Sequence, residues 1–311
     1  MEPLSDLLSL LKPQNYASGG VALLENMAIR WPEHAGIKCY AVVSGNCWLT
    51  VSGISQPIRL EAGDCYLLPP GPSFSLTTDL NASPVDFYTL RQQGKLGPDV
   101  LPGEQESCFL VGGHFVLSGE AADLLLSSLP PVVCIQQPEG KAAMRWSLER
   151  IADEVRHPQP GSALITRQLA YMMLIQALRL HLANRPSVGW LYALADKQLN
   201  TALSCMHKDP AFSWTLELLA ERAGMSRSAF AARFKEVTGT SAIDYLTRWR
   251  MMLACNLLKQ TGQSLAQISA GLGYESESAF GKAFKRVIGC SPRQYAHGAS
   301  NEGSDEHYQL A

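Results

Sequence analysis

Two stretches of this chain, fifty residues apart, carry the same side chains in the same order. Ser228-Ala229-Phe230 recurs as Ser278-Ala279-Phe280, and Phe234, Lys235, Val237, Gly239, Ser241 and Tyr245 recur as Phe284, Lys285, Val287, Gly289, Ser291 and Tyr295. Nine identities in eighteen positions mark an internal repeat. Ser226 and Ser276 stand where a hydroxyl can cap a helix by accepting a backbone N–H. The paired phenylalanines are spaced i and i+4, so both rings of each pair turn to one buried side. The outer side is left to Arg227, Ser228, Ala231 and Ala232 in the first copy, with Arg233 and Lys235 beside them. In the second it is left to Glu277, Ser278, Gly281 and Lys282, with Lys285 beside them. Such small, hydroxylic and cationic groups can contact phosphates and the edges of bases. A short helix ahead of each copy (Leu216 to Arg222; Leu265 to Ala270) ends in glycine, Gly224 or Gly271/Gly273, which permits a tight turn. Helix, glycine turn and polar-faced second helix form the unit that fits the major groove. The other reading is a bundle with two similar hairpins and no nucleic acid. Charge favours the first: residues 190–300 hold 13 Lys and Arg against 8 Asp and Glu, a net of +5, and the remainder holds 13 against 20, a net of −7.

The segment LAQISAGLGYESESAFGKAFKRVIGCSPRQY resembles the C-terminal signature of AraC/XylS-type transcriptional regulators. The resemblance runs back through TRWRM and WTLELLAERAGMSRSAFAARFKEVTG to Trp190. It implies two helix-turn-helix motifs joined by one long helix, here Ala242 to Lys259, with recognition helices ~34 Å apart on the duplex. The recognition-helix positions it implies are the outer-face residues just named. Ala231 and Ala232 depart from the family's long polar readers, since alanine can touch only a thymine methyl. Lys282 and Glu277 can read guanine and cytosine, so the second copy is expected to discriminate more.

The elements ahead of this region change in kind. From Gly20 to about Leu90, short apolar runs alternate with turn residues, including Ser44-Gly45, Ser52-Gly53 and Ala62-Gly63. That spacing predicts a β-sandwich or barrel, to which Ser107 to Val116 could add two strands. The run from Gly63 to Gly71 resembles the second motif of the cupin β-barrel, a glycine followed by Pro-x-Gly and then a metal-binding histidine. Phe74 occupies that histidine's position, and YAVVSGNCWLTVSG lacks the first motif's His-x-His and glutamate. The resemblance therefore implies a barrel without a metal or other cofactor, a sensor of the type found in one AraC subgroup. Tyr40, Trp48, Tyr66 and Phe74 are candidates to line a ligand site at its mouth; equally, these aromatics could simply fill a small barrel. His34 and His114 read as isolated solvent-facing or packing residues.

Five of the eight cysteines (39, 47, 65, 108 and 134) precede residue 141, so oxidation is a second candidate signal. If Ser44-Gly45 is a two-residue turn, Cys47 pairs with Val42 and Cys39 with Thr50. The two thiols then face opposite sides and cannot form a disulfide. Cys65, beside the Gly63-Asp64 turn, becomes the candidate reactive thiol.

Helical periodicity opens the chain, with Leu4, Leu7, Leu8 and Leu11 on one stripe, and returns in KAAMRWSLERIADEVRH. Ser162 is expected to cap the next helix, SALITRQLAYMMLIQALRLHLA, whose apolar residues run nearly all round and demand burial. This helical pair is either a cover for the barrel or a dimer interface. The expected fold class is α+β: a cupin-like sensor over 1–140, a helical pair over 141–185, a DNA-binding domain with two helix-turn-helix motifs over 186–300 and a disordered tail over 301–311. Asn184-Arg185-Pro186 reads as the linker. The absence of a basic leader, of an 18-residue apolar run and of CxxC spacing points to a reduced, cytoplasmic compartment with no membrane partner. The expected function is a sequence-specific regulator of transcription, a homodimer on double-stranded DNA with RNA polymerase as a further candidate partner and a small ligand or oxidant as effector. The competing class is a metal-free cupin enzyme with a helical appendage.

Overall fold

The computed structural model describes residues 3–11, 15–93, 106–117, 119–183, 189–260 and 262–297. The linker expected at Asn184-Arg185-Pro186 and the tail expected over 301–311 lie outside the described residues. Contacts gather the chain into two units. One comprises Pro13–Leu117 with Leu129–Arg185; the other comprises Met1–Lys12, Ser118–Ser128 and Pro186–Ala311. Two stretches from the first 140 residues thus belong with the C-terminal helices.

The first unit is a curled sheet. Its strands are β1 (Asn15–Leu24), β2 (Ala28–Trp31), β3 (Ile37–Val51), β4 (Ile58–Glu61), β5 (Cys65–Leu68), β6 (Phe74–Thr77), β7 (Val85–Asp86), β8 (Glu106–Val116) and β9 (Val133–Ile135). They run in the order β1-β8-β3-β6-β2-β7, with β4 and β5 also on β3 and β9 on β5. Ser52-Gly53 and Ala62-Gly63 are turns as expected, with Gly53 and Gly63 both at φ +88°. Ser44-Gly45 is not. It lies inside the single long strand β3, where Ser44 pairs with Phe109 and Gly45 with Cys108 of β8. The register slips between Val42 and Ser44, a bulge that reverses which residues face inward. Val42 before it, and Cys47, Leu49 and Val51 after it, all join the interior cluster. Ser107 to Val116 likewise forms part of one strand, β8, because β1 and β3 pair along both its edges.

Helix α2 (Phe87–Gln92) lies against β2 and β7, while α4 (Pro138–Arg156) and α5 (Ser162–Ala183) pack together and against the sheet's other face. Ser162 bonds backwards rather than capping α5: its hydroxyl accepts from Gln159 N and donates to the buried Glu154 carboxylate. The second unit contains α1 (Pro3–Leu10), α3 (Glu120–Leu126), α6 (Trp190–Ala195), α7 (Lys197–Lys208), α8 (Leu216–Arg222), α9 (Arg227–Thr238), α10 (Ala242–Gln260), α11 (Leu265–Gly271) and α12 (Glu277–Ile288). The stripe expected on α1 is buried at Leu4, Leu7, Leu8 and Leu11. No described helix is long and apolar enough to cross a membrane.

Candidate functional site

The repeat folds as two matching helix pairs. Ser226 Oγ accepts from Ala229 N at 3.3 Å and Ser276 Oγ from Ala279 N at 3.2 Å, starting α9 and α12 at the same place. Both helices end on a glycine in the left-handed region, Gly239 at φ +74° and Gly289 at +87°, whose N–H returns to the carbonyl of Lys235 or Lys285. The paired phenylalanines are fully buried. Burial then repeats position by position along all twelve residues of each helix, so the outer faces correspond as well.

Arg227, Ser228, Ala232 and Lys235 are exposed on α9, as are Glu277, Ser278, Lys282 and Lys285 on α12; Ala231 and Gly281 are half-covered at matching positions. Arg227 pairs with Glu217 at 2.6 Å, but both side chains are more than half exposed. An ion pair in that setting is worth ~0–1 kcal/mol and exchanges readily for a phosphate. Arg233 is differently placed. Its guanidinium pairs with Asp196, whose side chain is 9% exposed and also caps α7 through Gln198 N and Leu199 N. Burial alone would raise the Asp196 carboxyl, yet these N–H groups and Arg233 hold it below its ordinary range. Arg233 therefore braces α9 against α7, with its own side chain 42% exposed. Arg286 and Arg293 are exposed near Lys282 in the chain and extend the basic character of the second copy. Arg286 does not stand out in the repeat because its counterpart is Glu236.

A buried polar chain sets the angle of these helices. Trp190 Nε1 donates to Tyr245 Oη at 2.8 Å, and Tyr245 Oη meets His207 Nε2 at 2.7 Å. Since the hydroxyl already accepts from Trp190, it donates to Nε2, which leaves the imidazole proton on Nδ1, 3.4 Å from Asp6 Oδ2. Trp190 N also donates to Ser128 Oγ at 2.9 Å. Residues from α6, α7, α10 and the end of the α3 segment thus share one hydrogen-bonded core, with Asp6 of α1 beside it.

In the sheet unit, Tyr40, Tyr66 and Phe74 belong to the interior cluster. Trp48 does not: it lies between inward-facing Cys47 and Leu49, on the other face, with Arg59 over its ring at 5.9 Å. Phe74 stacks on Trp31 at 4.9 Å and offers no metal ligand. Among the described residues, no cluster of three or more His, Cys, Asp and Glu could hold a metal ion. His34 and His114 are not isolated, their ring centroids lying 6.3 Å apart.

The thiols also pair across strands. Cys39 Sγ and Cys65 Sγ are 3.9 Å apart, while Cys47 and Cys108 meet in the interior. Cys39 and Cys47 do face opposite sides, as expected, but through the bulge and not a hairpin. The contact with Cys39, together with complete burial, pushes the Cys65 thiol well above its ordinary value. A protonated, inaccessible thiol is a poor nucleophile, so the geometry does not favour Cys65 as a lone reactive site.

The sequence matches the cupin family over residues 2–183 and the helix-turn-helix domain family over residues 219–298. It is 42% identical over 95% of its length to a putative AraC-like transcription regulator of Streptomyces lividans, covering 98% of that protein. A putative AraC-like transcription regulator of Streptomyces antibioticus is 41% identical over the same shares of both chains. The HTH-type transcriptional regulator AlkR of Acinetobacter baylyi is 30% identical over 75% of this chain and 79% of its own.

Proposed function

The chain belongs to the AraC-like transcription regulators with a cupin-type N-terminal domain, and from that premise we propose that α9 and α12 are the helices it lays into the major groove. The observation that carries this reading is the position-by-position match in capping and exposure between them. Ser226, Arg227, Ser228, Ala231, Ala232 and Lys235 are the proposed contacts of the first copy. Ser276, Glu277, Ser278, Gly281, Lys282 and Lys285 are those of the second. Arg227, Lys235 and Lys285 suit phosphates, and Lys282 suits a guanine edge. Fluorescence anisotropy on the full chain with a selected duplex tests it. Affinity is expected to fall steeply as salt rises, through release of counterions. Lys282→Ala is expected to relax preference at one base position at a cost of ~1–3 kcal/mol. Equal weakening on every sequence would make Lys282 a phosphate contact instead.

We propose further that the protein works by binding alone, in the cytoplasm, as a homodimer formed through α4 and α5, with RNA polymerase as a further candidate partner. Those helices cover the sheet with one face and leave Trp146, Leu164, Ile165 and Met172 exposed on the other, at 64, 60, 40 and 47%. Apolar groups left together in this way mark association surfaces. Sedimentation is expected to show a dimer at tens of micromolar, roughly −6 to −7 kcal/mol of association; a monomer there would remove the claim. The sheet interior, with Tyr40, Tyr66 and Phe74, is the proposed place for an effector.

A further inference from the structure

One end of the sheet unit collects nitrogen groups from three parts of the chain. Lys38 on β3 lies directly opposite His114 on β8. His34, between β2 and β3, is 5.6 Å from the Phe74 ring, and Lys38 Nζ stands 5.8 Å from that ring's centroid. Lys38 is only 8% exposed, yet its ammonium has no hydrogen bond or ion pair among the described residues. Neither ring nitrogen of His34 has a hydrogen-bond partner; the Leu68 and Pro69 carbonyls lie near without the geometry for one. His114 Nε2 is held by the Ala35 carbonyl.

Buried donors left in this state are costly, and a buried cation without a counter-charge more so. Among the described residues, no side chain partners the His34 nitrogens or the Lys38 ammonium. Burial draws Lys38 down to about 8, which still leaves it mostly charged at neutral pH, and draws His34 to about 4, which leaves it neutral with one N–H to give. The cluster carries one net positive charge and free donors. A divalent cation would meet Lys38 and Phe74, so the complement is an anion. Largely buried apolar rings adjoin it: Trp31 is stacked between Phe74 at 4.9 Å and Phe87 at 5.1 Å. A shallow cleft of about 630 Å³, lined by Glu33, His34, Ala35, Gly71 and Pro72, opens beside His34. Glu33 is exposed on its rim and would repel a second negative charge.

We propose that this end of the barrel binds a small monocarboxylic acid with an apolar body, Lys38 forming the ion pair and His34 donating a hydrogen bond. The inference deepens the effector reading of the N-terminal unit and rests on it. It is tested by calorimetric titration of the full chain with benzoate and hexanoate, against benzamide, hexanamide and inorganic phosphate. The acids are expected to bind about tenfold or more tighter than their amides and than phosphate. Lys38→Met, which keeps the apolar stem, is expected to lose about tenfold or more in acid affinity. It should not lower the thermal midpoint without ligand, because it removes an uncompensated buried charge. His34→Leu serves as the second variant, with a loss of about threefold or more. Equal binding of acid and amide, retained affinity in Lys38→Met, or no binding of either acid up to about 10 mM would overturn the site. DNA binding by the same samples separates the two claims: acids that bind without altering it leave the site standing and remove the effector reading.

Discussion

Replacing Phe280 by alanine is expected to destabilise the C-terminal unit by about 3–5 kcal/mol and to abolish DNA binding. Phe280 is fully buried with Met251, Ala254, Ile268, Leu272 and Phe284, and its ring lies 5.5 Å from Tyr274 and 5.7 Å from Phe284. The lost ring leaves a cavity whose walls are short helices joined by a tight turn, so collapse would itself displace α12. Against a typical total of ~5–15 kcal/mol, such a loss is a large share. Urea midpoints followed by circular dichroism would read it, and Phe230→Ala should behave alike because the two cores repeat. Lys282→Ala is the contrasting case, since an exposed lysine should leave the midpoint where it was. A Phe280→Ala midpoint within about 1 kcal/mol of the parent would show that this ring does not hold the motif together.

The second large effect is a pH dependence centred on His207. Burial takes its imidazole from an ordinary value of 6.5 to about 3, despite Asp6 at 3.4 Å, so the folded chain keeps it neutral. The unfolded chain binds the proton more tightly. Stability is thus fully present above pH ~6.5 and drains away as pH falls toward ~3. At ~1.4 kcal/mol per unit, moving from pH 7.5 to pH 5 should remove about 2 kcal/mol. His34, His114 and His181 are also lowered by burial and add in the same direction. The His207 share is therefore read as the difference in slope between the parent and His207→Gln over pH 5–7.5. Identical slopes would mean that His207 does not govern the acid limb.

What could be read from the residues alone was whatever chemistry places close together in the chain. Serine caps, glycine turns and the i, i+4 phenylalanines act within a dozen residues, so both helix-turn-helix motifs emerged with their limits nearly right. Ser44-Gly45 shows where this fails. A glycine with φ > 0 serves a hairpin or a distorted strand equally well, and Gly45 at φ +74° lies within β3 just past the register slip, close against the Ser107 carbonyl. The deciding partner, β8, lies some sixty residues away. Trp48 is a different case: the hairpin register also sets it on the face opposite to that of Tyr40, so only its aromatic character made it a candidate. His34 and His114 read as lone residues because eighty positions separate them, and Lys38 gives no signal because lysine is ordinarily a surface residue. Arg233 has the charge of a DNA contact, but its partner Asp196 is known only once α7 is folded beside α9.

The scattered origin of the C-terminal unit also dictates the order of events on the ribosome. Leu4, Leu7 and Leu8 of α1 are made well ahead of α7 and α10, against which α1 packs and which are translated at least about 190 residues later. At ~5–20 residues per second, that leaves this leucine stripe without its partner for roughly 10–40 s. The curled sheet can fold in the interval, since its strands and covering helices all precede residue 186. The α3 segment, already made, must stay available as well. A nascent chain halted near residue 186 is therefore expected to display the α1 leucines as a chaperone-binding site that the finished protein hides. A fragment starting at residue 187 would carry the converse defect, the bare surface on α7 and α10 that those leucines cover.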